Sequence, residues 1–216
     1  MQEFINSIIT HLNSSINEFG SASIVTCGGS SPINIFKQLS LRDDIDWSNV
    51  NLTLLDDRKV SIDHPDSNEK LLIDHFAKNS AQNINIVSLC NSPNKVLEIK
   101  RPFDIMLIGL GGDGHFASLF PELVDNKECF DVDANPEILF LGEMGDPKHE
   151  RVSMNLSLIL QSKKIILISS SDQKNNVIEQ AFTDKALPLY YLLNQNITEI
   201  DIYDLANSKP LYFQGS

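Results

Sequence analysis

Cysteine is close to absent from this sequence: Cys27, Cys90 and Cys129 are its whole supply. An odd number, with no C-x-x-C and no Cys/His ligand spacing, argues against a disulfide framework or a zinc site and predicts a reducing, cytoplasmic setting. Cationic charge is scarce too. Lys and Arg number 17 against 29 Asp and Glu, for a net charge of −12. Counterion release from nucleic acid, or attraction to an anionic membrane, needs clustered Lys and Arg, so neither partner is expected. An acidic chain that binds an anion must focus its few cations locally, which makes basic residues inside motifs informative. No apolar run reaches the roughly 18 residues of a membrane span, and the first residues lack the basic and unbroken apolar regions of a signal peptide. Repeats and low-complexity tracts are missing as well. The polar stretch 90–102, CNSPNKVLEIKRP, is too short to divide domains.

What is present suffices for one core. The chain has 216 residues, 42% of them hydrophobic, and is expected to fold as a single domain over residues 1–210. The closing LYFQGS (211–216) resembles the scar of a removed purification tag and is set apart from that domain. Phe4, Ile5, Ile8, Ile9, Leu12, Ile16 and Phe19 recur at helical spacing. Residues 23–27, 51–56, 83–87, 103–110, 137–143, 151–158, 163–170 and 198–203 read as strands. Helices are expected from Pro32 to about Leu41, over 66–76, and from about Lys174 to Phe182. Strands alternating with helices predict an α/β layer structure, a mostly parallel sheet with helices on both faces. Ligands of such sheets bind beyond the carboxyl ends of the strands, where Gly28–Pro32, Asp56–Arg58 and Gly109–His115 all fall.

The third of these segments, GLGGDGH (109–115), has the spacing G-x-G-x-x-G. A dinucleotide fingerprint also needs a helix directly after the glycines and an acidic residue ending the next strand, about 20 residues on. Pro121 limits any helix starting near His115, and the next apolar strand closes only at Glu143, so a dinucleotide is not expected. The segment instead delivers Asp113 and His115 side by side on a tight turn. Histidine is suited to take a proton near pH 7, and a neighbouring carboxylate can hold one ring nitrogen and stabilise the imidazolium. No set of His, Cys and carboxylates stands at ligand spacing, so no metal is expected. His64 reads as a loop residue, and His11, His75 and His149 have no supporting context.

Several motifs in order resemble those of one family. GLGGDGHFASLFP (109–121) is similar to the signature loop of the 6-phosphogluconolactonases, relatives of the glucosamine-6-phosphate isomerase/deaminases. TCGGSSP (26–32) resembles the family's Gly-Gly-Ser-Thr-Pro loop, with Ser31 in the threonine place. LDDRKVSIDHPDSN (55–68) resembles its Asp-Glu-Arg segment followed by Ser-Asn, with Asp57 for the glutamate. ERVSMNLSLIL (150–160) resembles the arginine-bearing strand, and SSSDQKNNVIEQA (169–181) the segment with a phosphate-facing lysine. Glu122 stands where the family often has glycine, and SSSDQK lacks the usual glycine before its lysine.

The resemblance implies a modified Rossmann-like domain, of the deaminase-like kind, that hydrolyses 6-phospho-D-glucono-1,5-lactone to 6-phosphogluconate in the oxidative pentose phosphate pathway. His115 would activate water and Asp113 would orient it. Gly28, Gly29, Ser30 and Ser31 would offer amides and hydroxyls to the phosphate before a helix N-terminus. Arg151 and Lys174 would add charge there, and Arg58 would contact the phosphate or sugar oxygens. The partner implied is a small sugar-phosphate lactone; no cofactor and no oligomeric state is assigned. An isomerase/deaminase would use an aspartate base, for which Asp56 is available, but that branch resembles x-Ala-Phe-Asn-Glu-Pro after Gly-His where this chain reads FASLFP. A sugar-phosphate sensor would need an attached DNA-binding module, for which neither terminus is expected to have room or charge.

Overall fold

The structure is a computed structural model that describes residues 1–212. Its elements run α1 (Gln2–Phe19), β1 (Ala22–Thr26), α2 (Ile33–Ser40), β2 (Val50–Leu54), β3 (Asp56–Arg58), α3 (Asn68–His75), β4 (Asn85–Ile86), α4 (Pro93–Glu98), β5 (Ile105–Gly109) and α5 (Lys127–Phe130). They continue with β6 (Ile138–Met144), β7 (His149–Met154), α6 (Leu156–Ile159), β8 (Ile165–Ser169), α7 (Asp172–Ala181), α8 (Pro188–Leu193), β9 (Ile200–Asp204) and β10 (Lys209–Leu211). None of the described helices is long and apolar enough to cross a membrane.

Strands covered on both faces read as unbroken apolar runs rather than alternating ones. Every residue of β1 and β8 is buried, as are the first four of β5. These three strands lie together in a seven-stranded sheet of order β10-β9-β8-β5-β1-β2-β4. All its pairings are parallel except that of the edge strand β10 with β9. Along α1, Phe4, Ile5, Ile8, Ile9 and Leu12 bury one helical face, each large side chain contributing about 1.5–3 kcal/mol. The helix stops at Gly20, whose φ of 80° lets its N–H reach the Ile16 carbonyl.

A second sheet departs from the single layer that the strand pattern suggests. Asp56–Arg58 is not the tail of β2 but a strand of its own, antiparallel to β7, which pairs in turn with β6. The signal lies in burial: β6 leaves Phe140 62% exposed, as a strand with one solvated face does. The strand expected over 151–158 ends at Met154. Asn155 accepts the Leu158 N–H at 3.0 Å and starts α6 instead. Two further helices, α4 and α8, open on Pro93 and Pro188, a residue pre-set for the first helical position. Leu211 pairs with Ile202 in the edge strand, while residues 213–216 of the tag-like segment lie outside the described residues.

Candidate active site

From β1 the sheet extends through β2 to β4, and from β5 it extends the other way through β8 to β9. The order therefore reverses between β1 and β5, which opens a crevice at their carboxyl ends. Those two ends carry the Gly28–Ser31 and Gly109–His115 loops. Asp113 Oδ1 lies 2.6 Å from His115 Nδ1 and also accepts the His115 N–H at 3.2 Å. A carboxylate on Nδ1 fixes the proton there and leaves the Nε2 lone pair free. The turn depends on Gly111: a Cβ there would sit 2.2 Å from the imidazole and 2.6 Å from Asp113 Oδ1. Phe120 packs against the imidazole with ring centroids 4.4 Å apart.

The cationic side of the crevice comes from the small sheet. Arg58 and Arg151 are register partners across β3 and β7. The antiparallel pairing therefore puts them on one face. Arg151 is only 3% exposed; its Nε donates to the Met144 carbonyl and its Nη2 to that of Pro147. Burial, and then the neighbouring Arg58 charge, hold its pKa below the ordinary arginine value. Arg58 Nη1 donates to the Asp66 carbonyl at 2.7 Å, while its buried Nε has no partner. Across the cleft, Lys174 Nζ donates to Ser31 Oγ at 3.4 Å, and burial lowers its pKa. Among the described residues, no carboxylate forms an ion pair with any of the three cations. In a chain of net charge −12, one buried and two half-buried cations without carboxylate partners concentrate positive charge on one crevice.

Two neighbouring carboxylates, Asp56 in the cleft wall and Asp57 beside it, hold the surrounding segments in place. Asp57 accepts N–H bonds from Arg58, Asn68 and Glu69 at 2.7–3.0 Å, which ties Arg58 to the start of α3. Burial pushes its carboxyl up to about 6 against those donors. Asp56 Oδ2 accepts the Ser118 hydroxyl at 2.5 Å. Gly28 lies so close to Asn68 that a Cβ would fall 1.9 Å from its Oδ1. Cys27 also faces the cleft, but burial, and next the Asp56 charge, push its thiol up to about 12. It is thus a neutral thiol and no nucleophile.

The crevice, about 260 Å³, is lined by His115, Gly28, Gly29, Ser30, Ser31, Arg58, Arg151 and Lys174. These are the residues singled out from the sequence, apart from Asp113, which stands behind His115. Asp56, Asn68, Phe120 and Asp146 line it too. Asn68 carried a signal in DSN, where Ser67 caps α3 by accepting the Lys70 N–H. Nothing local marks Asp146. Outside the crevice lies a cluster that no sequence spacing announces, with His64 in the loop expected for it. His64 and His149 meet at Asp66, whose Oδ2 lies 2.9 Å from His149 Nε2.

A family model described as glucosamine-6-phosphate isomerases/6-phosphogluconolactonase matches residues 1–200. A 6-phosphogluconolactonase of Neisseria meningitidis serogroup A is 31% identical over 208 residues, 89% of each chain. One from Helicobacter pylori strain J99 is 28% identical, over 90% of this chain and 88% of its own. The crystal structure of a 6-phosphogluconolactonase from Shewanella baltica OS155 superposes with a TM-score of 0.83. It is 32% identical and covers 94% of this chain and 91% of its own.

Proposed function

The chain belongs to the glucosamine-6-phosphate isomerase/6-phosphogluconolactonase family, and from that premise we propose how its cleft works. The activity is hydrolysis of 6-phosphogluconolactone to 6-phosphogluconate, a step of the pentose phosphate pathway. His115 Nε2 takes a proton from water as the water oxygen attacks the lactone carbonyl. Asp113 holds the opposite ring nitrogen and stabilises the imidazolium that forms. When the tetrahedral intermediate collapses, the bond from carbonyl carbon to ring oxygen breaks. The imidazolium returns its proton to that oxygen, leaving a hydroxyl and a carboxylic acid, which ionises to the carboxylate by releasing a proton to solvent. The amides and hydroxyls of Gly28–Ser31, with Lys174 and Arg151, hold the phosphate; Arg58 binds the phosphate or a sugar oxygen. No step in this sequence requires a metal or an organic cofactor.

The observation that carries this reading is the joint one: an Asp113–His115 pair at 2.6 Å opens onto a cleft that also holds three cations without carboxylate partners. A remote anion gripped on one wall orients the reacting carbonyl against the base on the other. The deciding experiment is a coupled assay on freshly generated 6-phosphogluconolactone, corrected for spontaneous hydrolysis. Rates no higher than the spontaneous rate at micromolar protein refute the reading.

A further inference from the structure

We propose that His64, Asp66 and His149 form a binding site for one divalent transition-metal cation of the zinc class, beside the cleft and outside its chemistry. One ligand atom from each residue lies within 4.8 Å of the others. Asp66 Oδ2 is 2.9 Å from His149 Nε2 and 3.7 Å from His64 Nδ1. Zinc bonds of about 2.0–2.2 Å at tetrahedral angles put neighbouring ligand atoms about 3.4 Å apart, between those two values.

The hydrogen bonds at the cluster define what an ion would displace: His149 Nε2 is bonded to Asp66 Oδ2 at 2.9 Å. His64 Nδ1 accepts the Asp66 N–H at 3.1 Å, so its own proton is on Nε2. That N–H occupies the Nδ1 lone pair, so a cation would displace it to bind between Nδ1 and Asp66 Oδ2, 3.7 Å away. The two imidazole planes meet at 81° with centroids 5.5 Å apart. The rings are therefore arranged edge to face rather than stacked. Arg58 lies close enough for its charge to favour the Asp66 carboxylate, while its Nη1 donates to the Asp66 main-chain carbonyl.

Two imidazoles and one carboxylate suit zinc, nickel or copper, whereas calcium and magnesium take oxygen donors. All three side chains are partly exposed, so a cation can reach them, and three protein ligands leave a position for water. Asp66 comes from the loop before α3, and His149 opens β7. A bound cation would therefore join two segments far apart in the chain. None of the three residues lines the cleft, so the site stands apart from the proposed hydrolysis.

The test is calorimetric titration of chelator-stripped, desalted protein with Zn²⁺ alone, for the wild type, His64→Asn and His149→Gln. Asparagine can still accept the Asp66 N–H, and circular dichroism checks that both variants are folded. The wild type is expected to bind one Zn²⁺ per chain, to unfold at a higher temperature with it, and to give a visible Co²⁺ absorption band. Each variant should bind at least about 10-fold more weakly and lose the thermal shift. No binding by the wild type overturns the proposal. Equal affinity in the folded variants overturns it too, by placing the ion elsewhere.

Discussion

In the proposed mechanism His115 has one task, accepting a proton from the attacking water. Asparagine keeps a polar group of similar reach but cannot accept that proton, so His115→Asn should lower kcat by about 10²–10⁴ while product binding is retained. Asp113→Asn should cost less, because only the charge support of Nδ1 is lost. Wild-type kcat in purified His115→Asn would falsify the assignment of the base. Arg151 calls for a finer test, since it also holds the Met144 and Pro147 carbonyls. Losing one charge-assisted contact should reduce kcat/KM of Arg151→Ala for the phosphorylated lactone by about 10–100-fold. The unphosphorylated lactone offers that guanidinium nothing to bind and should lose far less. Both lactones assayed with both proteins separate the two roles, and equal losses would mean that Arg151 supports the turn rather than the phosphate.

At the scale of an element, the start of α3 stores a pH dependence. Asp57 is 2% exposed, and burial raises its carboxyl to about 6, against about 3.9 in an unfolded chain. Between those values the folded state binds the extra proton. The contribution to stability is therefore complete below about pH 4 and is lost as pH rises through about 6. At 1.36 kcal/mol per unit, this single group changes unfolding free energy by up to about 3 kcal/mol across that window. Urea unfolding of the wild type and Asp57→Asn at pH 4 and pH 7 isolates it. The wild type should lose ground to the variant at the higher pH; a constant gap would show that the three N–H donors cancel the burial. The strand that carries Asp57, β3, also explains a misread strand, since Asp56–Arg58 leaves β2 only because β7 supplies an antiparallel partner.

Across the whole molecule, catalysis resting on protein groups predicts indifference to chelators. Exhaustive treatment should leave the lactonase rate unchanged even if it removes a cation from His64, Asp66 and His149. Activity that disappears and then returns with one divalent metal would show a metal in the chemistry. The parallel sheet was legible in the sequence because burial on both faces leaves uninterrupted apolar runs, as in residues 23–27 and 163–170. The two glycine loops were legible for a related reason: close approach of Gly28 to Asn68 and of Gly111 to His115 admits no side chain. Asp113 and His115 are two residues apart, so one turn suffices to join them, and the sequence by itself determined that pair. Only the tertiary structure decided that Arg58 stands beside Arg151, that Asp146 and Phe120 close the cleft, and that His64 and His149 share Asp66. Those neighbours are set by antiparallel register in a second sheet and by the reversal of strand order between β1 and β5. Contacts between distant segments depend on how whole strands pair, and no local spacing of residues encodes that pairing.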